Sequence, residues 1–358
     1  MRIVLDNIVF DLQRFGGISV VWYELIHRLQ QQADLELGFL DNDCSDNDLR
    51  RDLKIAPDIV LGRNRFPKLL RYLPVVYNQT EPFIFHSSYY RYCTSKNAIN
   101  ITTVHDFTYE LYRKGMQRRV HSWHKFGAIR HSDYVVCISE NTRRDLLNFL
   151  PDVDEDRVRV IYNGVSDDYC LIPSSSVDDA RLPFESGKYV VYVGDRSEYK
   201  NFPLCVCAVK ETDYNLVIVG KKLNEEELAF VSQQLPEQRY YVTGFVKSQE
   251  LNIIYNHAAA LVYPSSYEGF GIPVVEAQKA GCPVIAYNAS SIPEVIGNTP
   301  LLMHELSARE LVEKLALLTK DEVAKQVKAD GLENSRRFSW DKMAEAYVGL
   351  YQEAMKRS

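Results

Sequence analysis

The sequence of 358 residues predicts an α/β protein made of two doubly wound, parallel-sheet domains that face a central cleft. Three observations predict it. Short β-branched runs alternate with amphipathic helical stretches along the chain, the pattern of a parallel sheet with helices on both faces. Many of the runs are apolar at every position, as strands covered on both faces are. Midway, the polar stretch Ser174-Ser175-Ser176-Val177-Asp178-Asp179 breaks the alternation, then leads through Pro183 and Gly187 into a new strand.

In the first half, strands are expected at 2–5, 35–40, 84–86, 100–104, 134–138 and 159–162. In the second half they fall at 189–193, 215–219, 240–243, 260–262 and 283–286. The first run has acids among its apolar residues and no small-residue cleavage site, so it reads as a strand and not a signal peptide. Helices fill the gaps at 19–31, 139–150, 201–210, 248–257, 273–280 and 307–318. The first of them is apolar at Val20, Val21, Leu25, Ile26 and Leu29, which share one face. Ser307 reads as an N-cap, with Glu310 closing a capping box. The expected domains are 1–165 and 166–338, followed by a final helix over 339–358 that is long enough to cross to another element.

Apolar residues at 46% and charged residues at 25% place the chain among soluble globular proteins. No run reaches the roughly 18 apolar residues of a membrane span, so a cytoplasmic protein is expected. A net charge of −6 argues against a nucleic-acid partner. The acid surplus sits in the second half, since residues 1–165 hold 22 Lys+Arg against 21 Asp+Glu. The 7 cysteines are odd in number and form no CxxC pair, so they read as reduced thiols with no zinc site.

The strongest chemical signal is Tyr267-Glu268-Gly269-Phe270-Gly271-Ile272-Pro273, with Glu276 after it. The glycines allow unusual φ and close backbone approach, and Pro273 suits a first helical turn. A helix start here offers free amides to a diphosphate or to sugar hydroxyls. Glu268 in the loop and Glu276 in the helix reach different parts of one extended ligand, or are a surface Glu and an ordinary helical one. After the strand 189–193, Gly194-Asp195-Arg196-Ser197-Glu198-Tyr199-Lys200-Asn201 carries a guanidinium and an ammonium. These make a diphosphate clamp or two solvated bases. Gly16-Gly17-Ile18 opens the first long helix and is a phosphate turn or a plain one; it is not GxGxxG. His105-Asp106 follows the strand 100–104, as a ligand-facing His or as a capping Asp beside a satisfied His. His121, His124 and His131 share a helix, and a solvated face explains them better than a metal.

Together these segments resemble family 4 of the retaining glycosyltransferases, which have the GT-B fold of two Rossmann-like domains. The resemblance spans nearly the whole chain: Phe15-Gly16-Gly17-Ile18, Val104-His105-Asp106, Ile138-Ser139-Glu140-Asn141, Tyr162-Asn163-Gly164-Val165, Tyr192 to Phe202, Thr243-Gly244-Phe245-Val246, Tyr263 to Pro273, and Ser291-Ile292-Pro293-Glu294-Val295. It implies an acceptor-binding first domain, a nucleotide-sugar-binding second domain, and a final helix packing back on the first. It implies that Arg196 and Lys200 grip the donor diphosphate, Glu276 the ribose and Glu268 the sugar. Backbone at Gly244, Phe245 and Val246 would meet the base, and Gly194, Gly269, Phe270, Gly271 and Ile272 would line the donor. Gly16, Gly17 and His105 would approach from the first domain. Ser139 matches a family position without an assigned role. Members need no metal or other cofactor. Retention is thought to proceed by same-face attack, with the leaving phosphate oxygen taking the acceptor's proton.

By resemblance to the polysaccharide and O-antigen branch, the donor expected first is GDP-mannose and second a UDP-sugar. The acceptor expected is a glycan or a lipid-linked glycan of lipopolysaccharide or other cell-surface polysaccharide. Other branches carry Gly-Gly where this chain has Ser290-Ser291. Residues 50–71 and 114–130 are basic, the second without any acid, and suit contact with an anionic membrane at the inner face of the cytoplasmic membrane. Solvated helix faces account for both segments equally well. A nucleotide-sugar 2-epimerase on the same architecture, or a non-catalytic nucleotide-sugar-binding protein, are the alternatives.

Overall fold

The structure is a computed structural model that describes residues 1–14, 16–42, 45–63, 66–173 and 182–357, Arg63 by its backbone only. Phe15, Cys44, Arg65 and the polar stretch 174–179 lie outside the described residues. The chain divides into two compact units, Met1–Gly164 with Trp340–Ser358, and Val165–Ser339.

The first unit holds strands β1 (Arg2–Asp6), β2 (Glu36–Asp41), β3 (Val60–Arg63), β4 (Phe83–Ser87), β5 (Ala98–Val104), β6 (Tyr134–Cys137) and β7 (Val158–Val160). They form one sheet in the order β3-β2-β1-β4-β5-β6-β7, parallel throughout. Ile3, Val4 and Leu5 of β1 and Phe83, Ile84 and Phe85 of β4 are fully buried, because helices cover both faces at the centre of the sheet. The chain reverses its direction of growth between β1 and β4. Such a switch point leaves room for a ligand beyond the strands' C-terminal ends.

The second unit repeats the plan with β8 (Tyr189–Val193), β9 (Asn215–Val219), β10 (Tyr240–Gly244), β11 (Ala260–Tyr263), β12 (Val284–Tyr287) and β13 (Leu302–Met303). The order β10-β9-β8-β11-β12-β13 puts its switch point between β8 and β11.

The final helix, Trp340–Arg357, belongs to the first unit. Its buried stripe of Trp340, Met343, Tyr347, Leu350 and Tyr351 packs on the helix Gly17–Leu29 and on β4. Two tyrosines anchor it through polar contacts. Tyr351 Oη lies 2.7 Å from His86 Nδ1, and Tyr347 Oη 2.9 Å from Thr103 Oγ1. His86 Nε2 also meets Thr103 Oγ1 at 2.9 Å, and burial pushes the imidazole down to about 3, so it is neutral.

Elements beyond the expected set include several helices of 4 or 5 residues, two strands and two longer helices. Strands β3 and β13 lie at sheet edges; residues 60–62 are only half-buried and β13 has 2 residues, so neither leaves an apolar run. The helices Glu225–Gln234 and Asp321–Ser335 bury few residues, Val231 in the first and Val327, Gly331 and Ser335 in the second. Their apolar stripes are too thin for a periodicity to show. The capping box at Ser307 is half formed. Ser307 Oγ accepts from the Glu310 amide at 3.1 Å, but the Glu310 carboxylate accepts instead from the His304 and Glu305 amides.

Candidate functional site

Of the expected donor residues, Gly194, Arg196, Lys200 and Glu268 lie in the loops after β8 and β11, at the switch point of the second unit. After β8, Gly194 takes φ +120°, a left-handed value that only glycine adopts cheaply, and the chain turns sharply. Residues Glu198–Lys200 then form a single 3₁₀ turn, which Asn201 ends in the left-handed region at φ 52°. Its side-chain amide donates to Pro264 O and Ser266 Oγ, both at 2.8 Å, tying this loop to the loop after β11. Lys200 Nζ is thereby brought within 2.5 Å of Glu268 Oε1. The two side chains keep 13% and 11% exposure, enough for an incoming ligand to reach them.

Arg196 is more enclosed, with 5% of its side chain exposed. Its Nη2 donates to Lys222 O at 3.0 Å, and its Nε sits 2.9 Å from Glu227 Oε1 as an ion pair off hydrogen-bond geometry. Its Nη1 is buried with no hydrogen-bond partner. An unpaired buried guanidinium N–H is costly, so this atom fits a site completed by an anion. Burial alone would raise the Glu227 carboxyl, but the Arg196 guanidinium beside it and the bond from the Asn224 amide hold it below the usual range. Tyr192, whose phenol is pushed up by burial, feels both Glu268 and Arg196, so the two groups share one end of the sheet.

Gly271, at φ +94°, caps the helix Ile272–Lys279 without any side-chain capping bond. The first turn of that helix offers few free amides, because Pro273 has no N–H and the Val274 N–H donates to Gly271 O at 3.0 Å. Phe270 contributes backbone only, because its ring is 3% exposed and packs edge-on against Phe338 at 5.3 Å. Glu276 lies one turn along the helix. Burial pushes its carboxyl up to about 7, against the bonds it accepts from Tyr169 and from Tyr255, whose Oη is 3.4 Å away. Beyond β10, Gly244 takes φ +75° and Phe245 is 75% exposed. Phe245 and Val246 border a cavity of about 210 Å³ with Thr243 and Glu250.

In the first unit, Gly16 is extended at φ 176° and precedes the helix Gly17–Leu29. A side chain at Gly17 would meet nothing within 4 Å, so the turn is open to close approach. His105 follows β5, and burial pushes it down to about 4 against the pull of Asp106. Asp106 caps the next turn, accepting from the Thr108 amide at 3.0 Å. Ser139 is the N-cap of Glu140–Phe149, accepting from the Thr142 amide at 3.0 Å. The three histidines do not converge. His121 stacks on Tyr109 and His131 on Tyr92. Among the described residues no group of three His, Cys, Asp or Glu is placed to hold a metal.

The basic segments are less uniform than their sequences suggest. Lys125 is fully buried against Glu110 at 2.9 Å, Arg50 pairs with Asp41 in the core, and Arg130 meets Asp152. Lys114, Arg118 and Arg119 stay exposed beside Met116 and Trp123.

Two family descriptions match the chain. Glycosyltransferase Family 4 matches residues 15–169, and Glycosyl transferases group 1 matches residues 176–337. The chain belongs to glycosyltransferase family 4. It is 26% identical over 253 residues to the serotype-specific mannosyltransferase WbdA of Escherichia coli, covering 65% of itself and 30% of that protein. It is 25% identical over 275 residues to the O-antigen chain mannosyltransferase B of Escherichia coli, covering 70% of each. The sucrose-phosphate synthase of Thermosynechococcus elongatus superposes over 100% of both chains with a TM-score of 0.76 at 18% identity. At that identity the likeness is one of fold, the GT-B fold.

This end of the second unit includes residues that sequence reasoning passed over. Glu227 arrives from the helix after β9, and the pattern Asn224-x-x-Glu227 was its one visible trace, a capping box. Tyr169 and Tyr255 brace Glu276, and only the tertiary fold shows it. Ser290 and Ser291 stood out only as a departure from glycine.

Proposed function

We propose that this family 4 chain is a retaining glycosyltransferase that moves a sugar from a nucleoside-diphosphate donor to a glycan or lipid-linked glycan. The observation that carries the reading is the Lys200–Glu268 pair at the second unit's switch point, beside an Arg196 with an unpartnered, buried N–H. A diphosphate would supply the acceptor that Arg196 Nη1 lacks and a second anion for Lys200. As the donor bond breaks, charge grows on the leaving nucleoside diphosphate, and fixed cations there stabilise the transition state more than the ground state. Glu268 would then hydrogen-bond the transferred sugar, and Glu276 the ribose. His105 in the first unit, neutral at physiological pH, would offer a hydrogen bond and not a charge. The chain's own cations suffice for this electrostatic role, so the reading needs no metal. Likeness to mannosyltransferases supports GDP-mannose as the first donor and a cell-surface polysaccharide as the acceptor class, with a UDP-sugar second.

Release of GDP or UDP from GDP-mannose or UDP-glucose, measured with mannoside and glucoside acceptors, tests the reading. Lys200→Met and Glu268→Gln should each lower kcat/KM by about 10²–10³, the usual cost of losing one preorganised electrostatic contact. Conversion of the donor to its 2-epimer without any acceptor would contradict it, and so would full activity in both variants. Exposed Met116 and Trp123, at 69% and 65%, flank Arg118 and Arg119 and suit a peripheral contact with anionic lipid. Phosphatidylglycerol vesicles should blue-shift tryptophan fluorescence at low salt in the wild type and not in Trp123→Ala.

A further inference from the structure

Two hydroxyls at the start of the helix Ile272–Lys279's neighbour, Ile292–Ile296, hold the donor loop in place. Ser290 Oγ donates to Glu268 O at 2.5 Å and accepts from the Glu268 amide at 3.1 Å, a reciprocal pair. Ser291 Oγ lies 2.9 Å from Glu268 O and 3.0 Å from Phe270 O, and its residue is fully buried. Both serines stand in the loop after β12, next to Ile292, whose Cδ1 fills the space where a Cβ on Gly271 would sit. Ser290 does this from the left-handed region, at φ 57°. A non-glycine residue held there costs stability and persists where the surrounding contacts over-determine it.

The bonds have a directional consequence. In a trans peptide the C=O and the following N–H point opposite ways. With the carbonyls of Glu268 and Phe270 drawn onto the serines, the amides of Gly269 and Gly271 face away from them. The same bonds fix the backbone from which Glu268 reaches Lys200. We infer that Ser290 and Ser291 are positioning residues of the donor site, aiming the Gly271 amide and the Glu268 carboxylate at the transferred sugar. This rests on the donor-site reading above. Their part is orientation, so they should matter for the sugar and little for the nucleotide.

The test compares Ser291→Ala, Ser291→Thr, Ser290→Gly and Glu268→Gln in the full chain. The donor is GDP-mannose, or UDP-glucose if the wild type turns over that one instead. Affinity for free GDP or UDP is measured by calorimetry. Ser291→Ala should lower kcat about tenfold while the affinity for the free nucleoside diphosphate stays within about twofold, and Ser291→Thr should restore most of the loss. Ser290→Gly should also lower kcat, without a fall in melting temperature, because glycine relieves the left-handed backbone as the hydroxyl is lost. Wild-type kcat in both Ser291→Ala and Ser290→Gly, with Glu268→Gln strongly impaired, overturns the positioning role and leaves the donor site standing. A lowered melting temperature with unchanged kinetics also overturns it. Wild-type kcat in Glu268→Gln removes the donor-site reading itself, and the inference with it.

Discussion

Replacing Glu276 by Gln should stabilise the fold at alkaline pH while weakening donor binding. Burial raises the Glu276 carboxyl from 4.5 to about 7 in the folded chain. An acid raised in this way binds more protons folded than unfolded between those two values. Its penalty is absent below pH 4.5, grows as pH rises through that window, and is fully present above about pH 7. At about 1.4 kcal/mol per tenfold change, the ceiling is about 3 kcal/mol, reduced somewhat because the residue keeps partial access to solvent. Gln cannot ionise, so Glu276→Gln should melt higher at pH 8 by about 5 °C, at the usual 2–4 °C per kcal/mol, and differ little at pH 5. The carboxylate is the better acceptor for two ribose hydroxyls, so wild-type donor affinity should fall as pH drops from 8 to 6. In Glu276→Gln it should be weak and flat with pH. Thermal melts at pH 5 and 8, with calorimetric titration of the donor at three pH values, read both effects. A variant that melts lower than wild type at pH 8, or a stability difference that does not change with pH, would refute the reasoning.

Two further substitutions test the frame around the sites. Tyr351→Phe removes the partner of His86 Nδ1 in a fully buried pair and should cost about 1–3 kcal/mol, read as a lower urea midpoint. Gly271→Ala puts a side chain on a residue at φ +94°, with its Cβ 2.8 Å from Ile292 Cδ1. It should lower stability by about 1–3 kcal/mol and raise the donor KM, measured by thermal melting and steady-state kinetics.

The fold was legible where burial is complete. Strands β8 and β9, apolar nearly end to end, have the expected bounds of 189–193 and 215–219. The helix Ser248–His257 also keeps its expected ends, because Leu251, Ile254 and Tyr255 form one buried stripe. Legibility failed at the edges, where β3 and β13 lack an apolar run, and in helices whose buried face is thin. In the site, sequence shows residue types but not partners. Arg196, Lys200 and Glu268 were visible as charges beside glycines. That Lys200 pairs with Glu268 depends on β8 lying next to β11, a matter of strand order. Glu227 reaches Arg196 from the helix that follows the neighbouring strand β9, and the raised carboxyl of Glu276 depends on a burial that spacing does not encode. The basic stretches read as uniform faces, yet Lys125 and Arg50 are core ion pairs.

The central claim is that Arg196 and Lys200 hold a nucleoside diphosphate sugar at the second unit's switch point. Melting temperatures of the wild type and of Arg196→Met/Lys200→Met, each with GDP, UDP, ADP and dTDP and their sugars, test it most directly. A ligand at a hundredfold its Kd stabilises by about 2.7 kcal/mol, so one nucleotide family should raise the wild-type melting temperature by about 5–10 °C. The double variant should show no shift with that family. An equal shift in the double variant, or no shift with any of the nucleotides in the wild type, would contradict the account.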